Sequence, residues 1–297
     1  MTSCLLDGFQ AFEVQRGGVR LHARRAGQGP ALLLLHGHPQ SMAMWHRVGP
    51  QLARSFTVVT MDLRGYGDSD RPAAGEGSAA YSKREMALDA IAVMRSQGQE
   101  RFQVLAHDRG ARVAHRLALD HPGAVERLLL LDIAPTLAMY RDTHEAFARA
   151  YWHWFFLIQP PPLPEALIES DPVRYLHSVM GNRHAGLGTF DPAALAEYAR
   201  CIGIAGSAAA ICADYRASAG IDLEHDRADL ATGLLLAQPL RVLWGAHGAV
   251  GRCFDVPGLW RERATNVSGH AVDCGHYLAE EAPDAVLAEA LEFFRRR

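Results

Sequence analysis

The residues with most chemical promise lie in Val104-Leu105-Ala106-His107-Asp108-Arg109-Gly110-Ala111-Arg112. The apolar run 102–106 reads as a short buried strand that stops at His107-Asp108, and helix-period spacing then runs over 111–119. A strand, a sharp turn and a helix, with small residues Ala106 and Gly110 two places either side of the centre, predict a nucleophile elbow. Small neighbours are required because the strand and helix backbones nearly touch there. The usual occupant of the centre is serine; here it is Asp108. A carboxylate that attacks carbon forms an ester that water must then open, which points to hydrolysis at a carbon centre. Taken alone, Asp108 also reads as a plain helix N-cap.

An elbow of this kind is followed along the chain by an acid and then a histidine. Asp132 ends the apolar run 125–131, and His276 sits in the loop Asp273-Cys274-Gly275-His276. Together with Asp108 they complete the order, at strand ends where open parallel sheets carry their sites. His36-Gly37-His38-Pro39 follows the apolar run 31–35. The backbone N–H groups of His38 and Arg109 are predicted to face the ester oxygen as charge develops on it. His-x-His is also a metal-ligand spacing, but no carboxylate-rich partner motif accompanies it, so no metal and no organic cofactor is expected. Arg109 and Arg112, three apart, share a helix face. An anionic nucleophile approaching an anionic acid is repelled by about 4 kcal/mol at 4 Å for an effective dielectric near 20. Two guanidinium forks remove that penalty and grip a carboxylate; a solvated surface pair is the plainer alternative.

The elements that must position these side chains follow the apolar rhythm. Residues 11–15 and 19–24 flank Arg16-Gly17-Gly18 and predict a hairpin. Strands are predicted at 31–35, 56–61, 102–106, 125–131 and 240–244, with helices near 44–52, 81–94, 259–263 and 283–294 and a loop over 71–80. Such alternation predicts an α/β class, a mostly parallel sheet with helices on both faces. Between residues 135 and 231 the rhythm breaks. Pro160, Pro161, Pro162, Pro164, Pro172 and Pro192 and the aromatic run Tyr151-Trp152-His153-Trp154-Phe155-Phe156 accompany no clear strand. An inserted helical cap (135–231) on a core of 1–134 and 232–297 is the expected plan. Most of the aromatic run is expected simply to pack.

Of the 297 residues 49% are hydrophobic, enough for a large core in one domain plus an insertion. A net charge of -3 without basic clustering argues against nucleic acid or an anionic membrane as partner. The cysteines Cys4, Cys201, Cys212, Cys253 and Cys274 are odd in number and lack CxxC spacing, as expected of free thiols in a reducing compartment. Residues 1–9 show no signal-peptide pattern and no apolar run could span a bilayer, so a cytoplasmic protein is expected.

His107-Asp108-Arg109-Gly110-Ala111-Arg112, Leu131-Asp132-Ile133-Ala134-Pro135-Thr136 and Tyr151-Trp152-His153-Trp154-Phe155 together resemble the haloacetate (fluoroacetate) dehalogenases of the α/β-hydrolase superfamily. Asp214-Tyr215-Arg216-Ala217 and Ile221-Asp222-Leu223-Glu224-His225-Asp226 match as well, so the resemblance covers nearly the whole chain, cap included. It implies the α/β-hydrolase fold, with Asp108 as nucleophile, His276 as base, Asp132 as its partner, and Arg109 and Arg112 on the substrate carboxylate. By the same resemblance His153, Trp154 and Tyr215 bind the departing halide, the substrate is a short haloacid, and a homodimer is suggested. An indole N–H, an imidazole N–H and a phenol O–H are suitable donors for a leaving fluoride. The chain departs from the family at His38, where an aromatic residue is usual, near Gly181-Asn182-Arg183, where a tryptophan is usual, and at Ala106 and Ala111, where glycines are usual. Those departures bear on pocket size and halide preference. An epoxide hydrolase shares the aspartate and the His-Gly-x-Pro motif and would draw on Tyr140, Tyr151, Tyr175 or Tyr215 to protonate a neutral oxygen, but it has no use for two arginines. A ligand-binding protein on this fold would be expected to lose Asp108, Asp132 or His276, and all three are present.

Overall fold

The computed structural model describes residues 5–295; Met1–Cys4 and Arg296-Arg297 lie outside the described residues. β1 (Gln10–Arg16) and β2 (Val19–Ala26) form the expected hairpin. Gly17 and Gly18 take φ of 57° and 79°, as a two-residue turn between twisted strands requires. β3 (Ala31–Leu35), β4 (Thr57–Met61), β5 (Phe102–His107), β6 (Val125–Leu131), β7 (Leu240–Gly245) and β8 (Val267–Val272) complete one sheet. Its order is β1-β2-β4-β3-β5-β6-β7-β8. β2 pairs antiparallel with β1 and β4, and every other neighbour is parallel. β3, β4 and β5 are buried along their whole length, which is why they read as unbroken apolar runs rather than alternating ones.

The chain moves from β3 outward to β4, then returns across β3 to β5, so the strand order reverses between β3 and β5. A crevice opens at the carboxyl ends of such a pair. The register brings those ends level, with Leu35 opposite Ala106, His107 opposite Leu131, and Leu131 opposite Leu243. Whatever follows β3, β5, β6 and β7 therefore meets at one edge of the sheet.

β8 was not among the expected strands. It is the edge strand, it is mostly exposed, and Ser268, Gly269 and His270 give it no apolar signature. The helix expected near 44–52 is two separate turns, Met42–Trp45 and Gly49–Leu52, because Pro50 starts a new helix. Between β6 and β7 the described residues form helices and no strand, from Thr136–Arg141 to Ile221–Thr232, and the word cap denotes these helices below. Three of the prolines in this stretch stand in the first turn of a helix, Pro164 in Leu163–Ser170 among them. Pro172 and Pro192 stand at the start of Pro172–Gly181 and Pro192–Ile202, with Asp171 and Asp191 capping the free N–H groups of Arg174 and Ala193. Among the described residues no single helix is long and apolar enough to cross a membrane.

Candidate active site

β5 ends at His107 and the helix Asp108–Asp120 begins at the next residue. Asp108 takes φ 44°, a left-handed conformation that few residues other than glycine, asparagine and aspartate accept. Two glycines make the approach feasible. A Cβ on Gly110 would lie 2.4 Å from the His36 carbonyl oxygen, and one on Gly37 would lie 2.6 Å from the Asp108 Cβ. The elbow is present, and its carboxylate is buried at 4% exposure.

Asp132, at the end of β6, also takes a left-handed φ of 52°. Its Oδ1 accepts from the Gly245 N–H at 2.9 Å, and its Oδ2 lies 2.5 Å from His276 Nδ1. The end of β7 is built around this contact: a Cβ on Gly245 would stand 1.9 Å from the Gly275 carbonyl oxygen. His107 secures the histidine loop from below. Its Nε2 donates to the His276 carbonyl at 2.9 Å, and the two rings are 4.7 Å apart. Burial, aided by the neighbouring His276, pushes the His107 imidazole down to about 4, so it is a neutral donor.

Burial alone would raise the Asp108 carboxyl, but His276, His107, Arg109 and Arg112 outweigh it and hold it well below the usual carboxylate range. Asp108 is thus an ionised carboxylate in a buried setting. Its Oδ2 accepts from the His38 N–H at 3.0 Å, whereas the Arg109 N–H forms no bond to it. His36 is committed elsewhere. Its Nε2 accepts from the Leu63 N–H and its Nδ1 donates to the Gly37 carbonyl, so both nitrogens serve the loop and the His-x-His pair is not arranged as a metal site. His38 Nε2 lies 3.0 Å from the Tyr175 hydroxyl, which ties the core loop to the cap.

The two arginines differ. Arg109 gives Nε and Nη2 to the two carboxylate oxygens of Asp214, each at 2.8 Å, and Nη2 also reaches the Asp214 carbonyl and Ser218 Oγ. The fork is therefore spent on Asp214, and the buried Nη1 is the nitrogen left without a partner. Lys83 Nζ and the Tyr66 hydroxyl also donate to Asp214, so the core supplies every side-chain donor to this cap carboxylate. Arg112 gives Nη1 to Thr136 Oγ1 at 2.8 Å and to the Ala134 carbonyl, and its buried Nε has no partner. Each guanidinium lies on an aromatic face, Arg109 4.1 Å from the Tyr215 ring centre and Arg112 4.7 Å from that of Trp154.

The cap completes the enclosure. His153 stacks on His38 with ring centres 6.3 Å apart and lies 6.0 Å from Tyr215, which is 6.4 Å from Trp154. Trp154 Nε1 and the Tyr215 hydroxyl are buried donors without partners. A buried polar group left unpaired is costly, so two on one wall imply an acceptor that arrives later. Burial, with Arg183 adding to it, holds His153 far below the ordinary imidazole range; the ring is neutral and offers a single N–H.

All nine residues singled out from sequence are buried here. Asp132 meets His276, His38 meets Asp108, and the arginines meet the aromatic wall. Sequence reasoning names Tyr151 only as part of a packing run or as an epoxide-protonating phenol, yet its ring is 5.3 Å from His153 and 6.2 Å from His276 and its hydroxyl is unpartnered; Asp214 it quotes in a matching segment without giving it a role. The signals for Asp214 are its place in the family-like segment Asp214-Tyr215-Arg216-Ala217 and its position directly after the apolar stretch Ile211-Cys212-Ala213.

Residues 30–177 match the family model described as the alpha/beta hydrolase fold. Over 290 residues the chain is 41% identical to a fluoroacetate dehalogenase from Burkholderia sp, covering 97% of this chain and 95% of that one. It is 36% identical over 282 residues to a soluble epoxide hydrolase from Corynebacterium sp. (strain C12), covering 93% and 94%. The crystal structure of ALR0039 from Nostoc sp PCC 7120 superposes with a TM-score of 0.95 at 50% identity, covering 100% of both chains.

Proposed function

The chain belongs to the haloacetate dehalogenase family of the α/β-hydrolase superfamily, and on that premise we propose that it hydrolyses short 2-halo carboxylic acids through an ester on Asp108. The observation that carries this reading is an ionised, buried carboxylate at the elbow, flanked by two guanidinium groups and level with an Asp132–His276 pair.

In the first step an Asp108 oxygen attacks the carbon bearing the halogen. The carbon–halogen bond breaks, and halide departs with its electron pair toward Trp154 Nε1, the Tyr215 hydroxyl and His153. The substrate carboxylate rests on Arg109 Nη1 and on Arg112, whose open N–H groups are the ones the protein leaves unsatisfied. In the second step His276 takes a proton from water as the water oxygen adds to the Asp108 ester carbon. The oxygen that gains charge is the one already accepting from the His38 N–H. Collapse breaks the ester bond, the leaving alkoxide takes the proton held by His276 to become the 2-hydroxy acid, and the Asp108 carboxyl releases its own proton to solvent, which restores the carboxylate. Asp132 orients the imidazole and stabilises its charged form. We take residues 135–231 as the cap that supplies the halide wall.

The 36% identical epoxide hydrolase keeps a second reading in view, and the buried free phenols of Tyr151 and Tyr215 are what favour it. The two readings separate on one panel. Chloroacetate or fluoroacetate should release halide while chloroacetamide and styrene oxide stay poor by orders of magnitude; ready opening of styrene oxide with haloacetate ignored would reverse the assignment. A single turnover in heavy-oxygen water should place the label in Asp108 before product. Label in the first product molecule would mean that water, not Asp108, attacks carbon.

A further inference from the structure

Arg183 is a third guanidinium at this site, in the cap loop just after the helix Pro172–Gly181. Its Cζ lies 4.6 Å from the Tyr151 ring centre, so all three arginines of the site share one arrangement, a guanidinium laid on an aromatic face. Their commitments differ. Arg109 is neutralised by Asp214, and Arg112 is held by Thr136 and a carbonyl. Arg183 has the Tyr277 hydroxyl as a hydrogen-bond partner but no carboxylate within ion-pair distance among the described residues, and it is half-buried where the other two are buried. Its charge acts inward. After burial it is the largest influence on the Tyr151 and Tyr277 phenols and on His153, and Asp108 and Asp132 are the carboxylates that act on it in return.

The geometry of displacement decides what a cation without a carboxylate partner can hold there. Asp108 approaches from the floor and halide leaves toward the opposite wall, so the other three substituents of the attacked carbon spread around that axis. The carboxylate takes the side of Arg109 and Arg112. On the dehalogenase reading the remaining side falls to Tyr151, whose ring stands edge-on to His276 and carries the Arg183 guanidinium on its face. In haloacetate only hydrogens point there. A longer acid would send its chain along this side toward the guanidinium.

We infer that Arg183 forms a second anion subsite, which takes the distal carboxylate of a short 2-halo dicarboxylic acid such as 2-chlorosuccinate. This rests on the dehalogenase reading and sharpens its substrate class. The reaction is unchanged: Asp108 displaces chloride from C2, water opens the ester, and 2-hydroxysuccinate leaves with C2 inverted.

The test compares chloride release from 2-chlorosuccinate, 2-chlorobutyrate and chloroacetate by the unmodified protein, Arg183→Gln and Arg183→Lys. 2-Chlorobutyrate has the same carbon skeleton without the second charge. The unmodified protein should prefer 2-chlorosuccinate to 2-chlorobutyrate. Arg183→Gln should raise KM for 2-chlorosuccinate about tenfold or more, leave the two monoacids within about threefold, and be partly rescued by Arg183→Lys, which keeps charge but loses the fork. A preference for 2-chlorobutyrate, or equal losses on all three substrates, would overturn the subsite and make Arg183 a general source of field. Chloride from chloroacetate but none from 2-chlorosuccinate would overturn the subsite alone. Chloride from none of the three would bring down the dehalogenase reading itself.

Discussion

Replacing Asp214 by asparagine is the sharpest test of how the cap controls the site. The carboxylate is wholly buried and accepts four side-chain bonds, from Arg109 Nε and Nη2, Lys83 Nζ and the Tyr66 hydroxyl. Asparagine is nearly the same size but has one accepting oxygen. At least two of the four donors would face an NH2 group, and Arg109 and Lys83 would be left with Asp222, 3.8 Å from Lys83, as the nearby counter-charge. Removing one partner of a buried ion pair costs about 3–5 kcal/mol, which urea unfolding would read as a large drop in midpoint at unchanged slope. Part of that cost is relieved by protons. Burial already lowers the Lys83 ammonium and Asp214 opposes it, so without Asp214 the folded-state pKa falls further. A folded base with a depressed pKa binds fewer protons than the unfolded chain, so the variant should regain stability as pH rises from neutrality toward the ordinary lysine range near 10.4. With Arg109 no longer fixed, kcat/KM for haloacetate should fall by about one to two decades. A loss below about 1 kcal/mol, unchanged kcat/KM, or a deficit that deepens with rising pH would refute this account of the network.

His276→Ala should allow displacement but block ester hydrolysis, so intact-mass analysis after chloroacetate should show protein carrying one carboxymethyl group on Asp108; unmodified protein would count against the assigned roles. Trp154→Phe and Tyr215→Phe should each cost about 2–4 kcal/mol in activation free energy toward fluoroacetate and less toward chloroacetate, because fluoride depends most on donors; equal losses in steady-state kcat/KM would reduce both residues to packing. Glu280 is buried beneath the base loop and accepts from the Tyr198 hydroxyl; burial pushes its carboxyl up to about 8. The folded state then keeps a proton that the unfolded chain releases near 4.3, so stability should decline between about pH 4.3 and pH 8 by roughly 4–6 kcal/mol and then level off. Glu280→Gln should flatten that slope in urea titrations across pH, and parallel profiles for the two proteins would contradict the assignment.

The elbow was legible because its constraints are local: a buried strand, a tight turn and small neighbours fall within nine residues. Asp132 and His276 were legible by chain order, since each ends a strand or follows one. What escaped was set by distance along the chain or by the absence of a pattern. Asp214 meets Arg109 across 105 positions, and nothing near either residue announces the other. β8 escaped because an exposed edge strand has little apolar surface to bury. The individual helices between 135 and 231 escaped as well, although Pro172 and Pro192 mark two of their starts: proline at the first turn removes an N–H that has no partner anyway. Arg109 was read as a free fork. Its type and spacing were right, but only the fold shows that the fork is already occupied.

The pinning of the cap has a kinetic corollary. Besides Asp214, the core holds cap residues through Arg116 to Asp229, Arg71 to Ser207, Arg47 to the Thr189 carbonyl and His38 to Tyr175. A plate fastened at that many separated points behaves as a roof rather than a door. Dipoles fixed in such a roof have little left to rearrange when charge moves from carboxylate to halide, so the reorganisation term of the barrier is small. The burden passes to traffic. With the roof fixed in place, anions on the proposed reading must come and go at its margin, where the half-buried Arg183 stands.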